Sequence, residues 1–159
     1  MSEHLSEQAD QLHRAVTALV KKYQFRDRND ICCYGISVSQ CYTLEVLREH
    51  GALSMQALAD QLQLAVSTVT RLVDQLVDKR FVERQSNPRD RRICQVQLTA
   101  EGRRLLHTIR KELVAREHAI LQRIPAASRD HVIWAIAELS QALDNWKRSE
   151  ETHHANGQP

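Results

Sequence analysis

Apolar residues recur along this chain in two rhythms, and the change from one to the other marks its central stretch. Val66, Val69, Leu72, Val73, Leu76 and Val77 keep the three- and four-residue spacing of a single helix face. Ser67, Thr68, Thr70, Arg71 and Gln75 fall on the other face. From Phe81 the period drops to two. Phe81, Val82, Glu83, Arg84 and Gln85 lead out, Ile93, Cys94, Gln95, Val96, Gln97 and Leu98 lead back, and Asn87-Pro88 marks the turn. A helix that leads directly into a two-stranded hairpin is predicted over 65–99.

The helical rhythm also appears on both sides. Leu5, Ala9, Leu12, Val16, Leu19, Val20 and Tyr23 predict an amphipathic helix over 3–23. Residues 24–30 are too charged for a core, and Ile31-Cys32-Cys33-Tyr34-Gly35-Ile36 reads as a connector punctuated by Gly35. Ser37 and Gln40 stand at capping-box spacing, so a helix starts there and continues through Cys41, Leu44, Val46 and Leu47 to His50, with Gly51 as a left-handed stop. Ser54 opens a short helix with Met55, Leu58, Ala59 and Leu62 inward and Gln56, Asp60 and Gln61 outward. After Thr99 a further helix carries Leu105, Leu106, Ile109, Leu113, Ile120, Leu121 and Ile124 and ends at Pro125. Val132, Ile133, Ile136, Leu139, Leu143 and Trp146 predict the last, over 128–147. Residues 149–159, apolar only at Ala155, read as a disordered tail.

Two short helices joined by three or four residues, the second opening with small polar side chains and an arginine, have helix-turn-helix form. Spacing alone fits a plain helical hairpin in a bundle equally well. The ribbon that follows favours a winged helix, in which the second helix enters the major groove and the wing tip reaches phosphates or the adjacent minor groove. Arg89, Arg91 and Arg92 around Asp90 make a merely solvated turn the weaker alternative.

Composition supports a mainly α fold with a small β-hairpin wing. Aromatics are 4% of the 159 residues, with only 4 Gly and 3 Pro, which disfavours a sandwich or barrel. The length suits a single domain over 1–148, with a winged-helix core at about 37–99 and dimerisation helices at about 3–23 and 99–148. The net charge of +2 does not announce a nucleic-acid partner. Its distribution does: Lys79, Arg80, Arg84, Arg89, Arg91, Arg92, Arg103 and Arg104 face only Glu83, Asp90 and Glu101 across the same stretch. The polar N-terminus and the absence of any long apolar run point to a cytoplasmic protein with no membrane partner, and so to thiols rather than disulfides at Cys32, Cys33, Cys41 and Cys94. The flanking helices carry more apolar stripe than one small core covers. A two-fold homodimer resolves this and sets its two reading helices about 34–36 Å apart, one turn of a pseudo-palindromic duplex.

SMQALADQL, STVTRLVDQLVDKRFVER and NPRDRRICQVQLTAEG together resemble the DNA-binding core of the MarR (multiple antibiotic resistance regulator) family of transcription factors over roughly residues 37–106. The wing is the most specific part, with Asp90, Arg92, Leu98-Thr99 and Gly102 at the family's spacing. The resemblance implies a winged-helix homodimer, usually a repressor, whose grip on double-stranded DNA changes when a ligand or oxidant acts near the dimer junction. It implies that Ser67, Thr68, Thr70 and Arg71 face the major groove, with Gln75 further along that face. Arg92 is then the wing arginine directed at the minor groove, held by Asp90, with Arg89 and Arg91 beside it. Asp74 and Asp78 should sit away from phosphates. Two positions depart from the pattern: Ala65-Val66 stands where a polar cap is common, and Cys41 where relatives carry an aromatic.

Cys32, Cys33 and Cys41 lie within ten residues beside a capped helix start, where free amides favour a thiolate. They fit three readings: small buried hydrophobes, a redox switch, or a soft-metal or metalloid site. Their spacing matches no standard zinc pattern. Cys94 in the returning strand reads as packing, and the eight histidines form no ligand motif. No cofactor is called for beyond such an ion or a small organic effector. A thiol enzyme using Cys32 or Cys33 lacks a local base, and a winged helix serving only as a protein-docking module leaves the arginine-rich wing unexplained.

Overall fold

The computed structural model describes the backbone of residues 3–32, 34–86 and 94–155. Its contacts gather into two compact units, Met1–Lys111 and Glu112–Pro159, where a single domain over 1–148 was expected.

In the first unit, helix α1 spans Glu3–Cys32, nine residues beyond the predicted end at Tyr23. Residues 24–30, read as too charged for a core, are helical because no Gly or Pro interrupts them; a helix needs no apolar face to continue. Gly35, at φ +69°, is where the chain turns. Helix α2 (Val38–His50) opens with the expected capping box: Gln40 N donates to Ser37 Oγ at 3.2 Å and Ser37 N donates to Gln40 Oε1 at 3.1 Å. It closes at Gly51, whose φ of +75° is positive as expected, although ψ of −147° places it outside the left-handed helical basin. Helix α3 (Met55–Leu62) is capped by Ser54, whose Oγ accepts from Ala57 N at 3.2 Å. Helix α4 spans Val66–Asp78.

The wing strands β2 (Val82–Ser86) and β3 (Cys94–Leu98) pair antiparallel from Val82↔Leu98 to Ser86↔Cys94. The sheet has a third strand that the pattern did not reveal. β1 (Leu53–Ser54) adds to the outer edge of β3, in the order β1-β3-β2. Two residues are too few to display an alternation, and their pairing partner lies some forty residues ahead.

Leu44, Leu58, Val69, Val73, Leu76, Val96, Leu106 and Ile109 are the centre of the core, each at most 1% exposed. They come from α2, α3, α4, β3 and the start of helix α5 (Ala100–Leu121). Fully burying a side chain of this kind contributes roughly 1.5–3 kcal/mol. The core thus clamps both helices of the helix-turn-helix against the wing.

Two non-glycine residues have positive φ among the described residues, Gln63 at 54° and Arg80 at 61°. Arg80 lies between α4 and β2, with its amide donating to Val77 O at 2.8 Å. Left-handed backbone crowds a β-branched side chain most. Arg80→Val is expected to lower stability by about 1–2 kcal/mol while Arg80→Gly does not, a contrast that thermal melts of the two variants measure directly.

In the second unit, Arg129 Nε donates to the carbonyls of Leu121 (2.9 Å) and Ile124 (3.1 Å), closing the carbonyl end of α5 before Pro125. Helix α6 (Ala126–Ala155) then starts two residues earlier than the pattern predicts and runs through 149–155, part of the expected disordered tail. A segment of Ser, Glu, Thr and His has little to bury, yet it contains no helix breaker before Gly157. Val132, Ile133, Trp134, Ile136, Leu143 and Trp146 are 36–62% exposed on α6.

Candidate nucleic-acid interface

α4 is held by Val69, Val73 and Leu76, all fully buried, and this fixes which residues face outward. Ser67, Thr68, Arg71 and Gln75 are exposed, and Ser67, Arg71 and Gln75 follow one another at four-residue intervals along a single row. Thr70 is half-buried, and its hydroxyl donates to Val66 O at 2.8 Å, so its proton is spent within the helix. Of the predicted face, Ser67, Thr68 and Arg71 therefore form the open part near the helix start. The N-cap is Ala65, with no side-chain hydrogen bond. The departure noted there is thus a start without a side-chain cap from Ala65, with Ser67 already inside the helix.

Two features of this surface are missing from the sequence reading. Arg84 on β2 pairs with Asp74 on α4 at 2.7 Å, tying the wing to the reading helix and neutralising one of the two carboxylates expected to repel phosphate. The groups are 39% and 51% exposed, so the pair adds little stability; it places charge. The second feature is a buried amide. Gln40, 4% exposed, is more than a cap: its Nε2 donates to Gln75 Oε1 at 2.7 Å, and its Oε1 accepts from Lys79 Nζ at 3.0 Å. Lys79 Nζ also donates to Gly35 O at 2.7 Å. Capping-box spacing accounts for Gln40 completely at the local level, so no signal in the sequence pointed further.

On the wing, Gln85 Nε2 donates to Gln97 Oε1 at 2.9 Å and Gln97 Nε2 donates to Glu83 Oε1 at 2.7 Å, a ladder of side chains across β2 and β3. Arg89, Asp90, Arg91 and Arg92 lie outside the described residues, as does Cys33. The backbone of Cys32 is the last residue of α1. Cys41 is 3% exposed in the core face of α2. Cys94 is exposed, which corrects the expectation that it packs: it lies on the same strand face as the buried Val96 and Leu98, but at the first residue of β3, where that face is open. Among the described residues no three His, Cys, Asp or Glu side chains gather as a metal site, and no helix is long and apolar enough to cross a membrane.

The winged-helix core coincides with the match to the MarR family model, over residues 36–94. A helix-turn-helix transcriptional regulator of Bacillus subtilis, YsmB, is 31% identical over 107 residues, covering 67% of this chain and 70% of its own. The chain belongs to the MarR family. The B. subtilis repressor MdtR is 29% identical over 143 residues, 86% of this chain and 90% of that one. Among solved structures, RV1404 of Mycobacterium tuberculosis superposes with a TM-score of 0.73 at 25% identity, covering 89% of this chain and 95% of that one. Apo MarR of Escherichia coli, at 22% identity and a TM-score of 0.72, covers 80% and 95% and shares the fold. This MarR-family chain is a winged helix-turn-helix, DNA-binding transcription regulator and not an enzyme. The thiol-enzyme reading of Cys32 and Cys33 falls with that.

Proposed function

We propose that this MarR-family regulator is a cytoplasmic homodimeric repressor, released from a pseudo-palindromic operator by an effector acting near Cys32, Cys33 and Cys41. The observation that carries the reading is the row Ser67, Arg71, Gln75 on a helix whose opposite face buries Val69, Val73 and Leu76 completely: α4 is anchored, polar outward and open to a duplex. Ser67, Thr68 and Arg71 reach base edges, Thr70 lies at their margin, and Arg89, Arg91 and Arg92, with Asp90 holding Arg92, serve the wing.

Dimerisation is supported separately in each unit. On α1, Leu5, Leu12, Leu19 and Val20 are 43–54% exposed; on α6 the six apolar side chains above are likewise open. Helix faces of this kind are covered in a stable protein, and a second copy can cover each of them. Repression is supported by the likeness to MdtR, whose name states that role.

The effector is an oxidant, a soft metal or metalloid, or a small organic ligand; no cofactor is needed for DNA binding itself. A thiol effector is supported by Cys32 and Cys33 preceding the Gly35 turn, whose carbonyl is bonded to Lys79 at the end of α4. Protein at increasing concentration is titrated onto a duplex selected from random sequence by the wild type, with and without phenylarsine oxide. Wild type should bind with a steep salt dependence and release on treatment, and the Cys32, Cys33, Cys41 triple-Ser variant should bind equally and ignore the reagent. Release from that variant too assigns the effector to an organic ligand site; no selected duplex at moderate salt leaves the protein-docking reading.

A further inference from the structure

We infer that Gln40 is a positioning residue for DNA recognition: it turns the amide of Gln75 so that its N–H2 end alone faces outward, to donate to a phosphate oxygen of the bound duplex. This rests on the DNA-binding role of α4. The orientation follows from donors that have no alternative. Lys79 Nζ carries only protons and so does the Ser37 amide, and both meet Gln40 at the same atom, Oε1, at 3.0 and 3.1 Å. The other end of Gln40 must then be its Nε2, which donates to Gln75 at 2.7 Å. Gln75 answers with its oxygen and leaves its nitrogen turned away. Gln40 is 4% exposed, so water does not readily release it from this arrangement.

A glutamine that reads adenine does so with donor and acceptor together. Gln75, with its oxygen turned to Gln40, does not present donor and acceptor side by side to a base edge. Its position supports a backbone contact as well: it is the tenth residue of α4, about 13 Å along the axis from Val66, whereas base edges are met by the start of a recognition helix. Asp74 beside it is paired with Arg84, and the Lys79 ammonium, one turn on, is held against Gln40 Oε1. A phosphate therefore meets a donor in a patch that no longer repels it.

The test is a double-mutant cycle on the selected duplex. Gln40→Glu keeps acceptors for Lys79 and Ser37 but also demands a proton from Gln75, so the Gln75 amide reverses and shows its oxygen to the phosphate. Gln40→Glu and Gln75→Ala should each weaken binding about tenfold, the worth of one hydrogen bond to a charged group. The loss should be equal on selected and scrambled duplexes, with the salt slope unchanged, because a neutral amide displaces no counterion. In the Gln75→Ala background, Gln40→Glu should add nothing. Wild-type affinity for Gln40→Glu, full additivity of the two losses, or a loss confined to one base pair overturns the inference. Should Gln40→Glu melt early, the exposed Gln75→Ala decides alone: uniform loss supports a phosphate contact and sequence-dependent loss refutes it. Failure of the wild type to select any duplex is a separate result, and it refutes the DNA-binding reading of α4 beneath.

Discussion

Arg92→Ala is expected to lower affinity for the selected duplex by about 10- to 100-fold, which corresponds to roughly 1–3 kcal/mol for one well-placed arginine contact. The strands on either side, β2 ending at Ser86 and β3 starting at Cys94, form a paired ribbon bonded to α4 through Arg84 and Asp74. Removing a guanidinium from a narrow minor groove costs the attraction of that groove's concentrated negative potential. It should also lower the slope of log affinity against log salt by about one, since one fewer cation is displaced. Asp90→Ala should follow in the same direction with a smaller loss, because the arginine remains but loses its restraint. Equal binding of Arg92→Ala and wild type to both selected and scrambled duplexes would show that the wing does not touch DNA.

Gly102→Ala is expected to destabilise the fold by about 2–4 kcal/mol, lowering the melting temperature by roughly 5–15 °C. An ideal Cβ at this position lies 2.0 Å from Phe81 O and 2.9 Å from Phe81 C, both backbone atoms that cannot rotate away. The same Phe81 carbonyl accepts from Thr99 N at 3.1 Å, while Thr99 Oγ1 donates to Arg80 O at 2.7 Å and accepts from Gly102 N at 3.0 Å. This corner joins the end of the wing to the start of α5, and moving the Phe81 carbonyl strains all of it. In an ordinary helix the same change stabilises by about 1 kcal/mol, so the sign of the effect is diagnostic. A melting temperature at or above that of the wild type would mean that the strand yields without cost.

Local signals in the sequence predicted the elements well wherever chemistry and period agreed. Ser37 with Gln40 announced a capping box that is present, Ser54 a cap that is present, and the period-two runs a hairpin whose register is continuous. Expectations failed where the reading relied on the absence of a core. Residues 24–30 and 149–155 are helical although too polar to bury, because helix continuation needs only good formers and no breaker. β1 went unseen because a two-residue strand exists only by virtue of its partner.

The amino-acid sequence by itself determined the winged helix-turn-helix and the polar row on α4, which follow from periodicity and caps that neighbouring residues specify, and its short motifs carried the resemblance to the family. Tertiary structure alone decided what those residues are bonded to. Thr70 spends its proton on Val66, Asp74 is neutralised by Arg84, and Gln40 holds Gln75 across 35 residues of chain. Such pairings depend on where the packing of Val69, Val73 and Leu76 sets α4 against α2 and the wing, and residue spacing within one element carries no record of that.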